Sequence, residues 1–203
     1  MKIGILGGTF NPPHKGHVKL GLDFKKKLSL DKVVVIPAKI PTHKKAKDLV
    51  SGEDRLKMCS LAFKDPVFEI SDIETKSDRE SYTVYTLEEL KKMYPEDEFY
   101  LIIGSDMFLI FDKWYRYKDI LSMCTVCVEA RENDESSDEL KRFAKKTLGI
   151  DTKKSDKIII NPVKPFPVSS TEIRQRIKDK KGVKRLVDSD ELEYIKIRGL
   201  YLD

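Results

Sequence analysis

Two histidines, His14 and His17, stand three residues apart in the run Gly7-Gly8-Thr9-Phe10-Asn11-Pro12-Pro13-His14-Lys15-Gly16-His17. At the opening of a helix this spacing turns both rings toward one face, and Gly16 between them removes bulk where a substrate must pass. The two glycines follow an apolar run, so the backbone there can approach a ligand closely. Helix-initial N–H groups beyond them offer a positive end to an anion. The set reads as a loop that contacts phosphate. Zinc is the rival ligand, but His43 is the one further histidine, and no carboxylate completes a His-Glu-x-x-His arrangement. Neither of the common Gly-rich phosphate patterns occurs, so the glycines alone would mark only a tight turn.

A second group lies near the C-terminal end. Ser169 followed three residues later by Glu172 predicts a capping box that starts a helix, with N–H groups and the hydroxyls of Ser170 and Thr171 facing an anion. Arg174 would add a bidentate phosphate clamp. Gly104 and Asp106 follow a strand-like run, a position that suits ribose hydroxyls or a metal-bound phosphate; a helix N-cap is the plainer role for the aspartate. Trp114, the single tryptophan, offers a flat face for a pyridine ring or a core anchor. Lys44 would steer a phosphate, or be a solvated lysine in a basic loop. Cys124 and Cys127 form a C-x-x-C inside an apolar run, where a strand points them to opposite faces, so they do not read as a metal or redox pair.

The elements that must position these residues follow from hydrophobic periodicity. Strands are predicted over residues 2–6, 32–37, 68–72, 99–104, 124–129 and 157–161. Helices are predicted over 17–28, 53–63, 84–93, 138–148, 170–178 and 191–198. The alternation implies an α/β, Rossmann-like, doubly wound and mainly parallel sheet in a single domain over 1–203, with 131–156 as a polar surface excursion. A length of 203 residues with 40% hydrophobic content suits one core, and 36% charged residues argue against a membrane protein. The chain starts without a secretory leader and holds three cysteines, which points to the reducing cytoplasm. The net charge of +5 comes without aromatic interleaving or a readout motif, so nucleic acid is not an expected partner.

The first run resembles the T/H-x-G-H motif of the nucleotidyltransferase superfamily, and Val168-Ser169-Ser170-Thr171-Glu172-Ile173-Arg174 is similar to that superfamily's I-S-S-T-x-I-R segment. Ile36 to Lys44, Ser81-Tyr82-Thr83-Val84-Tyr85-Thr86-Leu87 and Ile102-Ile103-Gly104-Ser105-Asp106 with Trp114-Tyr115 narrow the resemblance to nicotinate mononucleotide adenylyltransferases, along nearly the whole chain. The resemblance implies transfer of an adenylyl group from ATP to nicotinate mononucleotide, with Mg²⁺ bound through the ATP phosphates and no metal site of the protein's own. It implies His14, His17, Lys44 and Arg174 as catalytic groups, and Gly7, Gly8, Thr9, Phe10, Gly104, Asp106, Ser169, Ser170 and Thr171 around ATP. Lys44, Tyr82, Thr83, Trp114 and Tyr115 would hold the mononucleotide, with the N–H groups of Thr83 and Tyr115 reading the nicotinate carboxylate. Three departures stand out. Asn11 replaces the family's usual Asp, Ala38 and Thr42 replace an Asn and a Pro, and Arg131-Glu132-Asn133 stands where Arg-Pro-Gly is usual. Another adenylyl- or cytidylyltransferase, for example one acting on phosphopantetheine, is the nearest alternative, ahead of an inactive nucleotide-binding protein. The sequence leaves a homo-oligomer open.

Overall fold

Val33, Val34, Val35 and Ile36 are each almost fully buried, as expected of a strand covered on both faces of a parallel sheet. The computed structural model describes residues 1–39, 48–131, 134–163 and 166–202. Its strands are β1 (Lys2–Gly8), β2 (Lys32–Pro37), β3 (Phe68–Ile70), β4 (Glu98–Gly104), β5 (Thr125–Arg131) and β6 (Ile158–Val163). Its helices are α1 (Lys15–Leu28), α2 (Gly52–Ala62), α3 (Thr83–Met93), α4 (Ser105–Phe108), α5 (Tyr117–Met123), α6 (Asp134–Lys146), α7 (Ser170–Lys178) and α8 (Ser189–Ile197). The strands form one sheet in the order β3-β2-β1-β4-β5-β6. Parallel register places Ile3 opposite Phe99, Leu101 opposite Val126 and Val128 opposite Ile160. This is a doubly wound, Rossmann-like sheet, the kind that the alternating pattern implies.

Contacts divide the chain into two compact units. The first comprises residues 1–6, 21–33 and 82–165. Here Gly4 is required by packing, because a Cβ would lie 2.9 Å from Leu30 Cδ1 and 3.2 Å from Ile102 and Val33. The stretch expected to be a polar surface excursion carries α6, which starts earlier than the helix predicted over 138–148. Leu140 and Ala144 are buried, and Phe143 meets Phe108 edge-on at 5.4 Å. Despite the many charges of that stretch, the helix is amphipathic and its few apolar residues turn inward. Cys124 and Cys127 are buried free thiols, raised by desolvation, to about 12 for Cys124.

The second unit comprises residues 7–20, 34–81 and 166–203. Its apolar clusters are Met58, Ile195 and Tyr201 with Val50 and Leu200, and Ile173, Val183, Val187 and Leu192. α8 starts with a complete capping box, in which the Asp188 side chain and Glu191 satisfy each other's backbone donors. No helix among the described residues is long and apolar enough to cross a membrane.

Candidate functional site

The first loop belongs to the second unit. β1 runs on through Gly8, two residues past the expected end, and the Ala38 N–H donates to the Gly8 carbonyl at 2.9 Å. Gly8 has no room for a side chain, since a Cβ would lie 3.0–3.2 Å from the Phe10 ring. Phe10 adopts a left-handed φ of 48° and its ring is 1% exposed. That ring stands edge-on to His17 at 5.0 Å and to Phe63 at 5.7 Å. Phe10 therefore supports His17 from beneath, and only its backbone is placed to meet a ligand. Gly16 also does a different job from the one expected. A Cβ there would come within 3.0 Å of His14 Nδ1 and 3.4 Å of Val168, so the missing side chain makes room for the His14 ring, not for a passing substrate.

The two imidazoles stack at 3.6 Å with 18° between their planes. Each accepts a backbone N–H from the other's residue: His14 N–H donates to His17 Nδ1 at 3.2 Å, and His17 N–H to His14 Nδ1 at 3.3 Å. An Nδ1 that accepts fixes the neutral ring as the Nε2–H tautomer, so the pair presents two N–H donors carrying no charge. Burial lowers His14 to about 4. Burial, with the neighbouring His14 second, holds His17 well below the usual histidine range. Two stacked cations are thereby avoided, and the pair stays neutral at physiological pH.

Helix α7 is tied to this loop. Ser170 Oγ donates to the Pro12 carbonyl at 2.8 Å and Arg174 Nη1 to the Asn11 carbonyl at 2.8 Å. Ser169 caps α7 by accepting from Glu172 N–H at 3.1 Å. The expected capping box is only half formed, because the Glu172 carboxylate turns to Arg176 at 2.7 Å. Arg174 is likewise not a free bidentate clamp. Nη1 holds the loop, Nη2 donates to Thr171 Oγ1 at 3.3 Å, and Nε is buried without a partner among the described residues. Asn11 is 2% exposed. Its NH₂ donates to the Asp48 carbonyl at 2.9 Å, while its Oδ1 accepts from Tyr201 OH at 2.8 Å and Val50 N–H at 3.3 Å. This explains Asn at a position where Asp was the expectation: a carboxylate cannot donate to a carbonyl.

The first unit brings together the other expected group. Thr83 is the first residue of α3, whose N-cap Tyr82 makes no side-chain cap bond, so among the described residues no side chain caps its first backbone donors. Tyr82 and Tyr115 lie 4.9 Å apart, and Tyr85 packs against both, at 6.0 and 5.8 Å. Tyr115 is 47% exposed, and the half-buried Trp114 ring leans on Phe111 at 5.2 Å. Gly104 is the N-cap of α4 and the exposed Asp106 lies inside its first turn, so the aspartate is not the N-cap. A Cβ at Gly104 would meet Asp106 Oδ1 at 2.9 Å, which shows the carboxylate folded back over the strand end. Lys44 lies outside the described residues. Sequence reasoning missed Arg55, Tyr85 and Tyr201. Arg55 alone left a signal, a charge on the same α2 stripe as the buried Met58, Cys59 and Ala62.

The Cytidylyltransferase-like family matches residues 5–176. A probable nicotinate-nucleotide adenylyltransferase of Shewanella sediminis is 37% identical over 208 residues, covering 99% of this chain and 98% of the relative. One of Carboxydothermus hydrogenoformans is 38% identical, covering 98% of each. Among solved structures, Plasmodium falciparum nicotinic acid mononucleotide adenylyltransferase complexed with NaAD superposes with a TM-score of 0.78, covering 98% of this chain and 97% of that one. At 18% identity that likeness speaks for the fold. The chain belongs to the Cytidylyltransferase-like family and, within it, to the nicotinate-nucleotide adenylyltransferases.

Proposed function

We propose that this protein transfers the adenylyl group of ATP to nicotinate mononucleotide, releasing pyrophosphate and forming nicotinate adenine dinucleotide for NAD biosynthesis. The observation that carries the reading on this chain is the stacked, neutral pair His14 and His17, each with an Nε2–H for which the described residues supply no acceptor. A phosphate monoester has its second pKa at about 6, so the mononucleotide is already an anionic nucleophile at neutral pH and needs no general base. One of its phosphate oxygens bonds the α-phosphorus in line as the bond to the bridging oxygen breaks. Pyrophosphate leaves with that electron pair, and no covalent enzyme intermediate forms.

Catalysis then rests on position and charge stabilisation. The two imidazole N–H groups donate to the charge-gaining phosphate oxygens without surrendering a proton. His17, braced by Phe10, is assigned to the α-phosphate. The N-terminus of α7 adds the backbone donors of Ser170 and Thr171, and Arg174 both holds the loop and keeps unused donors. Lys44 is assigned to the mononucleotide or triphosphate. Gly7, Gly8 and Thr9 offer backbone approach, and Asp106 suits the ribose hydroxyls. The uncapped start of α3 at Thr83 and the N–H of Tyr115 suit the nicotinate carboxylate, with Tyr82 and Trp114 beside the ring.

A divalent cation accompanies this chemistry, and we assign it as Mg²⁺. Mg²⁺ would be held through ATP phosphate oxygens and water, the coordination it favours. When bound it neutralises phosphate charge. The buried free thiols favour a reducing, cytoplasmic setting. The test is to incubate the protein with ATP, Mg²⁺ and nicotinate mononucleotide and separate the products. The dinucleotide should accumulate with one pyrophosphate per turnover, and His17→Ala should lose several orders of magnitude in turnover while staying folded. Near-normal turnover in that variant would overturn the role of His17.

A further inference from the structure

Arg55 is 1% exposed on α2 and is the largest fully buried side chain of the described residues. Its guanidinium makes no close ion pair with a carboxylate among the described residues, and Glu74 acts on it only at longer range. It donates instead to four backbone carbonyls: Thr9 at 3.0 Å and Ala38 at 2.5 Å from Nη1, Lys39 at 3.1 Å from Nη2, and Val50 at 3.3 Å from Nε. Burying a cation without an opposite charge is costly, and an apolar side chain of similar volume is often the more stable choice. The four carbonyls indicate what the charge is for. Thr9 belongs to the first loop, Ala38 and Lys39 follow β2, and Val50 leads into α2, so one rigid fork fixes segments that are distant in sequence.

The direction of these bonds matters as well. Carbonyl and N–H point oppositely across a trans peptide. Drawing the Thr9 carbonyl down to Arg55 turns the Phe10 N–H the other way, and drawing the Ala38 carbonyl down turns the Lys39 N–H toward Ser81 Oγ, which accepts it at 2.9 Å. The loop's acceptors are thus engaged by a cation, and its next N–H is presented on the opposite side, the polarity that an anion requires. Thr9 also leads directly into Phe10, on whose ring His17 rests at 5.0 Å.

We infer that Arg55 is a positioning residue for adenylyl transfer: it sets the first loop, and through Phe10 the His17 ring, against Ala38, Lys39 and Val50 so that the Phe10 N–H, and not the Thr9 carbonyl, is presented to the phosphates. The inference rests on the function proposed above. Because losing four carbonyl contacts can unfold the chain, two variants are read together. Arg55→Lys keeps the charge and three donors, and Arg55→Gln keeps two donors and no charge. Turnover with ATP and nicotinate mononucleotide is measured per folded molecule, with the folded fraction taken from circular dichroism. The expected result is a fall in kcat of about 100-fold in the glutamine variant, the scale of a misplaced catalytic group, with a smaller fall in the lysine variant. The KM for ATP should move by far less than kcat. A folded variant of either kind with wild-type kcat would overturn the inference, as would a loss of activity that only tracks the unfolded fraction. Absence of product from the wild-type protein would count against the proposed function instead.

Discussion

Acidification should remove the stacked histidines' contribution to stability, by an amount that follows from their burial. His14 titrates at about 4 in the fold against 6.5 when free. Below 6.5 the unfolded chain takes up a proton that the folded ring refuses. His14's contribution is therefore intact above the free value and is lost as pH falls toward the folded one. Between about pH 7.5 and about pH 5 the difference amounts to about 2 kcal/mol, at about 1.4 kcal/mol per unit of separation. His17 adds to the loss in the same direction. Glu191 opposes it, because burial raises its carboxyl from 4.5 to about 9 and its contribution declines as pH rises through that window. Comparison with His14→Gln isolates the histidine. Urea unfolding of both proteins at both pH values should show the wild type losing about 2 kcal/mol more than the variant. Equal losses would refute the assignment of a buried, neutral His14.

Asn11→Asp should cost about 3 kcal/mol, read as a lower thermal midpoint, because the buried carboxylate would face the Asp48 carbonyl. Gly16→Ala should leave the fold intact but lower kcat by about tenfold, since the new Cβ would sit 3.0 Å from His14 Nδ1 and disturb the stacked pair. Trp114→Ala should raise the KM for the mononucleotide and leave that for ATP unchanged, measured by varying each substrate in turn. Glu191→Gln should flatten the decline in stability on the alkaline side, since a neutral amide keeps the oxygen that accepts from Asp188 N–H at 3.3 Å.

The strands and most helices were legible because their apolar residues repeat with clear periods. β2 and α7 have the predicted bounds, and the sheet is of the doubly wound kind the alternation implies. α4 and α5, at four and seven residues, were not legible. They are too short to show a helical period, and the N-cap before α5, Arg116, has a left-handed φ of 53° that no glycine announces. The start of α6, at Asp134 instead of 138, was not legible because its first turn is charged and polar. At the site, residue identities could be read but not their division of labour. Phe10, Ser169 and Ser170 appear in sequence as ligand contacts, yet the Phe10 ring packs on His17, the Ser169 side chain caps α7 and the Ser170 hydroxyl holds the loop at Pro12. Such roles depend on partners such as Pro12 with Ser170, which are 158 positions apart, or Asn11 with Tyr201, which are 190 apart. No local pattern encodes pairs at that separation.

The central claim is acceptance of a negatively charged pyridine mononucleotide by adenylyl transfer. It is tested most directly by measuring kcat/KM with nicotinate and with nicotinamide mononucleotide on the same preparation, with ATP and Mg²⁺ saturating. The backbone donors at the start of α3 predict a clear preference for nicotinate, lying mainly in the KM for the mononucleotide. Equal values for the two, or no pyrophosphate with either, would contradict the account.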